Sequence, residues 1–479
     1  MSNALNSLAQ LAAALPVPAA YNPATVPQSF AAALKAGNFQ STDSYLFGSN
    51  TTPTDPKQIR IADLSTLAKY FKPYKPGTGL YTINYEIERY QPFNASNHAI
   101  GDNGLALTAT LPTLPWPVLS KSLAQAPNGS NQLYLNDVSG INLGQVAACA
   151  NFGGLLFVTA VDTVNNIVTL WGSNPATGAA PVINNLNPAY TTVDFLPIYV
   201  ATISSVNSAS SLTLTCLPTA AGGTAPWPFP AQIVPGMQVT AYGSSAFGQP
   251  IIQSVNASSG VISLASPIGI AYSAGMRVLC MPPLNAGQIW SHKNYWAGAN
   301  ALQKSVAVEV QAIMPRAQGC WPAAWLYGDG SVVRPALTGS EIDIMEMYCA
   351  SFSPKLAGVL TQTTHGPTGA TQVHSVATGN GTWLTASYWR PPASVIDGNP
   401  HRFQMIWNGS AVYYFVDDAF VCADLGMASW AGQPATIGCN LAVGSVQGSS
   451  MQIGLYPAHT PASGVIDSFT IQQINVWIL

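Results

Sequence analysis

The chain has 479 residues but only 19 Asp and Glu, and three of these, Glu341, Asp343 and Glu346, crowd into six positions of the apolar run "GSEIDIMEMY". Carboxylates that share a surface repel one another, so at neutral pH one of them tends to hold a proton. A protonated carboxyl beside an ionised one is what acid/base and nucleophilic chemistry require. Two Glu whose side chains converge to about 5–5.5 Å suit hydrolysis of a glycosidic bond with retention, one as nucleophile and the other as acid and then base. The Asp between them can hydrogen-bond the nucleophile and tune both. The competing readings are an exposed strand edge and a cation site. Calcium loops usually spread their ligands among Gly, Asn and backbone carbonyls, whereas apolar residues interleave these three, and that favours catalysis.

The element that must position them is a strand. Residues i and i+2 of a strand share a face, so Glu341 and Asp343 point together while Ile342 and Ile344 face a core. Glu346 is out of phase and would join the isoleucines, where an unpaired carboxylate costs on the order of several kcal/mol. A one-residue β-bulge near Met345 restores the phase and returns Glu346 to the carboxylate face.

Composition describes the scaffold around that strand. Charged residues make up 7% of the chain, against about 25% in an ordinary globular protein. With 41 Gly, 37 Pro and abundant Ser, Thr and Asn, this predicts many short strands joined by uncharged loops. The net charge is -3 and no Lys/Arg run occurs, so neither nucleic acid nor an anionic membrane is expected as a partner. No segment supplies the roughly 20 consecutive apolar residues of a transmembrane helix, and a soluble chain is expected. The N-terminal "MSNALNSLAQLAAALPVPAA" lacks a basic n-region and reads as an amphipathic helix, with Leu5, Leu8, Leu11 and Leu15 on one side, rather than as a cleaved signal. Seven cysteines, with no CxxC pair, read mostly as small buried hydrophobes, with one or two disulfides left open. There is no GxSxG elbow, phosphate loop or HExxH, which removes support for serine hydrolase, nucleotide and zinc peptidase chemistry.

A chain this long predicts two or three domains. Residues 1–79 are Pro-rich and read as an N-terminal arm or module with a helix over "PKQIRIADLSTLAKYF", where Ile61, Leu64, Ala68 and Phe71 recur at helical spacing. Residues 80–112 hold alternating strands, including "NGLALTATLP". Residues 113–282 repeat a strand, polar turn, strand unit, in "VTAVDTVNNIVTLW", "ISSVNSASSLTLT" and "IQSVNASSGVISL". Residues 283–479 return to long alternating strands and, with 80–112, make one large β-sandwich into which the repeats are inserted. The repeats contain no clustered His or carboxylates, so binding, spacing or assembly is expected of them, and assembly of the N-terminal module.

Two resemblances add to this reading. "STDSYLFGSNTTPTDPKQIRIADL" resembles the leading segments of phage tail-fibre proteins, in which a short hairpin runs into such a helix. The run "RAQGCWPAAWLYGDG", "GSEIDIMEMY" and "HGPTG" closely resembles the family 16 glycoside hydrolases of the bulged ExDxxE form, which include laminarinase-type endo-β-glucanases. That resemblance implies an all-β fold, a concanavalin A-like β-jelly-roll sandwich with a concave sugar-binding cleft. It implies a polysaccharide substrate, a β-1,3- or mixed β-1,3/1,4-glucan, and an extracellular enzyme; the tail-fibre resemblance of the N-terminal segment adds virion association as the alternative. It makes Glu341 the nucleophile, Asp343 the assisting carboxylate and Glu346 the acid/base.

Trp321 and Trp325 match the family's cleft tryptophans, whose flat faces suit a sugar ring; Trp325 is the favoured one, since one of two aromatics four apart often belongs to a core. His365 in "THGP" matches a histidine on a neighbouring cleft strand, near the acid/base. His401 also aligns, with packing the favoured role. No cofactor is implied for catalysis, but Asp467 falls where many relatives place a structural calcium ligand; a plain exposed Asp is the alternative. Two departures stand out, Gln311 in place of an Arg and "LAVGSVQGSSMQ" in place of a Gly-Gly-x-Trp segment, and both are expected to alter subsites next to the cleavage point. The competing functions are a tail-associated polysaccharide depolymerase and a glycan-binding structural protein on a degenerate hydrolase fold.

Overall fold

Strict alternation in runs such as "VAVEVQAI" puts Val306, Val308, Val310 and Ala312 on one face of a strand, and such faces close on one another to make the core. The computed structural model describes residues 29–73, 89–111, 118–125, 131–148, 156–171, 192–217, 229–241, 249–297, 305–317, 320–328, 341–348, 359–365, 371–377, 395–408, 411–424, 434–443 and 464–479. The fold is all-β, with an eleven-stranded and a seven-stranded sheet sharing one hydrophobic core. The larger sheet runs from Ala419–Asp424 through Val412–Val416, Pro400–Trp407, Val306–Ile313, Val465–Ile478, Gly104–Thr110 and Asn285–Ala286 to Arg89–Tyr90. The smaller runs from Thr371–Ala377 through Val359–His365, Glu341–Tyr348, Cys320–Gly328, Ala435–Val443 and Gln288–Tyr295 to Phe71–Lys72. Phe403, Met405, Trp407, Tyr414 and Phe469 from the first meet Ile342, Met347, Leu326, Ile437 and Leu441 from the second.

The segment before residue 79, expected as a separate module, supplies strands to both sheets. Gln40–Phe47 pairs antiparallel with Val465–Ile478, and Phe71–Lys72 pairs with Gln288–Tyr295. Tyr45, Phe47, Ile61, Leu67 and Phe71 belong to the shared core, which is why the segment is not an independent arm. The helix is also shorter than its periodicity suggests. Gln58–Ile61 is a strand, parallel to Gln40–Phe47 and so not a hairpin with it, and the helix is Leu64–Tyr70. Asp63 sets the start by accepting from the Thr66 N–H, leaving Leu67 as its buried residue. The helix expected through Leu5, Leu8, Leu11 and Leu15 lies outside the described residues.

Among the described residues, the strands between 119 and 281 pair only with one another, in an eight-stranded and a three-stranded sheet. The repeat units are antiparallel pairs: Leu156–Asp162 with Ile167–Trp171, Ile252–Asn256 with Val261–Leu264, and between them Ile203 bridged to Cys216. The strand Thr192–Thr202 runs through all their packing. Val193 and Phe195 enter one insert core, Tyr199 and Ala201 another, and Leu196, Ile198 and Val200 join the core of the sandwich. The sandwich strands that flank the insert are neighbours, Asn285 lying opposite Thr110, so the inserted chain leaves and returns at one place.

Cys216, Cys280 and Cys439 are buried free thiols, and Cys320 and Cys422 are buried as well. Cys149 and Cys349 lie outside the described residues.

Candidate active site

The strand Glu341–Tyr348 sits between Cys320–Gly328 and Val359–His365. Its register breaks once. On one side Asp343 faces Trp325 and Met345 faces Ala324, which leaves Ile344 as the extra residue. On the other side Asp343 faces Thr363 and Glu346 faces Thr361, so Gln362 alone spans Ile344 and Met345. This two-for-one bulge lets Ile342, Ile344, Met345 and Met347 all enter the core, each at most 1% exposed. Glu346 thereby recovers the phase of Glu341 and Asp343, on the face turned away from the core. Asp343 is buried, while Glu341 and Glu346 are half-buried.

The neighbours on that face follow from the pairing. Tyr327 lies beside Glu341, Trp325 beside Asp343 and Ala323 beside Glu346. The Trp325 indole N–H donates to Asn440 Oδ1 at 2.7 Å, and Asn440 Nδ2 donates in turn to the Tyr90 hydroxyl at 2.9 Å. Its ring meets Trp290 edge to face, centroids 4.7 Å apart, and Tyr327 at 5.8 Å. Trp290 is held by its own N–H, which donates to Gln288 Oε1 at 3.0 Å. Gly438 lies in register between the two indoles, opposite Trp290 on one strand and Trp325 on the other. A Cβ there would stand 2.4 Å from the Trp290 ring, so only glycine permits this contact. The result is an aromatic wall fixed next to the carboxylates, able to orient a flat apolar ligand face.

The remaining candidates separate. Trp321 shares the face of Ala323 and Trp325 by alternation and is 7% exposed. The backbone of His365 lies opposite Glu341, with Thr361 opposite Glu346; the His365 side chain is outside the described residues. His401 is in the other sheet, its ring nitrogens against Asp417 at 2.7 Å and Asp397 at 3.1 Å, a structural corner in keeping with the packing role.

Asp467 is half-buried and not simply exposed: its carboxylate accepts the backbone N–H groups of Arg316 at 2.6 Å, Ala317 at 2.7 Å and Ser468 at 2.8 Å. These three donors tie the carboxylate to the backbone of Arg316 and Ala317, the arrangement of a loop anchor. Gln311 is corrected too. It points out of the larger sheet and donates to Gln472 at 3.1 Å, on the opposite side of the core from the carboxylates, so it lines no subsite. The "GSVQGSSMQ" stretch lies outside the described residues.

Trp290, Tyr327, Asn440, Gly438 and Gln362 escaped the sequence reading. Tyr327 alone had a local signal, since it stands two residues beyond Trp325 in a strand; the others are brought in by pairing between distant segments.

No protein-family model matches this chain, and no curated protein does. Among solved structures it is similar to the endo-β-1,3-glucanase from Pyrococcus furiosus, at 17% identity over 51% of this chain and 74% of that one, with a TM-score of 0.29. It is similar to the laminarinase from Rhodothermus marinus, at 17% over 41% and 73%, TM-score 0.29. A third is the glycoside hydrolase family 16 endo-glucanase from Bacteroides ovatus, at 21% over 40% and 75%, TM-score 0.30. All three likenesses are distant.

Proposed function

We propose that this chain is a retaining endo-β-glycanase of the family 16 kind, acting outside the cell on a β-1,3- or mixed β-1,3/1,4-glucan. The observation that carries the reading is the bulge at Ile344, which gathers Glu341, Asp343 and Glu346 on one face beside Trp325. A strand that needed these residues only for solubility would have no reason to break its register for Glu346.

In this reading the Glu341 carboxylate attacks the anomeric carbon and forms a glycosyl ester. The glycosidic C–O bond breaks as its oxygen takes the proton of Glu346. Glu346, now ionised, removes a proton from water, whose oxygen attacks the same carbon; the ester bond breaks and frees Glu341 with the anomeric configuration retained. Asp343, between the two in sequence and buried, orients Glu341. The edge-to-face aromatic wall of Trp325 and Tyr327 offers the sugar an apolar platform.

The test is reducing-sugar release from laminarin, lichenan, agarose, carrageenan and xyloglucan by the wild type, Glu341→Gln and Glu346→Gln. The expected outcome is release from a β-1,3-containing glucan, lost to background in Glu341→Gln and reduced about 10²–10⁴-fold in Glu346→Gln. Release from agarose alone would keep the chemistry and move the substrate to a galactan. Glycan binding with no release from any polymer would replace the enzyme with a binding or virion structural protein.

A further inference from the structure

A bulge removes a carbonyl from the ladder, and Ile344, at 0% exposure, has no water to satisfy it. The group that reaches it is a side chain. Gln362, itself 0% exposed, donates from Nε2 to the Ile344 carbonyl at 3.2 Å. Its Oε1 accepts from Cys422 Sγ at 3.5 Å, and Cys422 belongs to Ala419–Asp424 in the facing sheet. Gln362 occupies a core-facing position between Leu360 and Thr364, where an apolar residue would be the ordinary choice. A glutamine there without partners would be costly, and both ends of this one are occupied. Beside it, the Tyr414 hydroxyl donates to the Thr363 carbonyl at 3.2 Å, a second tie from the larger sheet to the same strand.

We infer that Gln362 is a positioning residue for the carboxylates: its side-chain amide fixes the two-for-one register at Ile344 and so sets where Glu346 stands relative to Glu341. The kinetic consequence rests on the hydrolase reading above; the structural one does not. Loss of the amide leaves the Ile344 carbonyl without its donor and lets the bulge move along the strand. Glu346 follows it, while Glu341 and Asp343, before the bulge, stay in place. The step that suffers is proton delivery to the leaving oxygen.

The experiment compares Gln362→Met, of similar length but with no donor, with the wild type on a soluble β-1,3-glucan and on a 2,4-dinitrophenyl β-oligoglucoside. The aryl leaving group departs as a weak base and needs little help from the acid. The expected result is a fall in kcat/KM at least tenfold larger on the glucan than on the aryl glycoside, with the alkaline limb of the glucan pH profile displaced. Gln362→Glu, whose carboxyl donates only while protonated, is expected to regain the glucan rate as pH is lowered. A protein merely less stable loses both activities in proportion, and that result overturns the inference. So does a crystal structure of Gln362→Met with the wild-type register across residues 343–346, whatever the rates. A wild type that cuts neither substrate overturns the hydrolase reading instead, and the variant's crystal structure then decides the role of Gln362.

Discussion

His98 is fully buried, and its Nε2–H donates to the Gln288 carbonyl at 3.0 Å, on the strand that carries Trp290. Burial pushes its pKa from 6.5 down to about 4, so the folded chain holds it neutral. Its contribution is complete above the unfolded value of 6.5 and is lost as pH falls toward about 4, on the order of 3 kcal/mol. His401 has the opposite sign. Burial alone would lower its pKa, but the hydrogen bonds its ring donates to the Asp417 and Asp397 carboxylates outweigh it and raise the value, so that stabilisation is present below 6.5 and fades as pH rises. The melting temperature is expected to fall between pH 6.5 and 4, and His98→Gln, which can still donate to Gln288, is expected to flatten that slope. An unchanged slope would remove His98 from the acid response. At this scale the sequence was readable where a residue broke its own local pattern. Glu346 misfits the alternation of "EIDIME", and that misfit alone announces the bulge. Gln362 stands among Thr361, Thr363 and Thr364, so its own strand gives no sign of it, and the carbonyl it serves is on another strand.

Three adjacent strands meet at Gly438, and their alignment is a matter of pairing rather than composition. Trp290, Gly438 and Trp325 are far apart in the chain and consecutive across the sheet. Gly438→Ala puts a methyl 2.4 Å from a ring that is 0% exposed and cannot swing away. Overpacking of this kind costs about 1–3 kcal/mol, and the displaced Trp290 is expected to push Trp325 off Asn440. Calorimetry and glucan kinetics should show a lower melting temperature together with at least a tenfold loss of kcat/KM; stability lost without any kinetic change would confine Trp290 to a packing role. Strand identity was legible in "VAVEVQAI" because Val306, Val308 and Val310 alternate toward the main core, although Ala307 on the other face is buried as well, under Phe30 and Phe415. The helix before that strand was misread at its start because Ile61 continues the helical spacing by coincidence, while the Asp63 cap, a short-range signal, marks the true boundary.

The whole molecule behaves as a set of interlocked cores. Leu196, Ile198, Val200, Leu279 and Met281 of the insert pack in the same cluster as Leu107, Val308 and Phe469 of the sandwich. Repeats from which the sequence led one to expect binding, spacing or assembly therefore share apolar surface with the scaffold that carries the carboxylates. Scanning calorimetry of the full chain is expected to show a single cooperative transition, with loss of sandwich and insert signals coincident; two resolved transitions would show the insert to be independent.

Val465–Ile478 lies in the interior of the larger sheet, pairing with Val306–Ile313, Gly104–Thr110 and Gln40–Phe47. It follows all of them in sequence, and Gln40 finds its partner only at Ile478. On the ribosome, then, the earlier strands emerge long before the strand that joins them, and the larger sheet cannot be assembled until translation has passed residue 478. Exposed edges along Gly104–Thr110 and Val306–Ile313 must wait in a nascent chain with few charges to keep neighbours apart. Growth at low temperature or with abundant chaperone should therefore matter more to the yield of this protein than to its final stability.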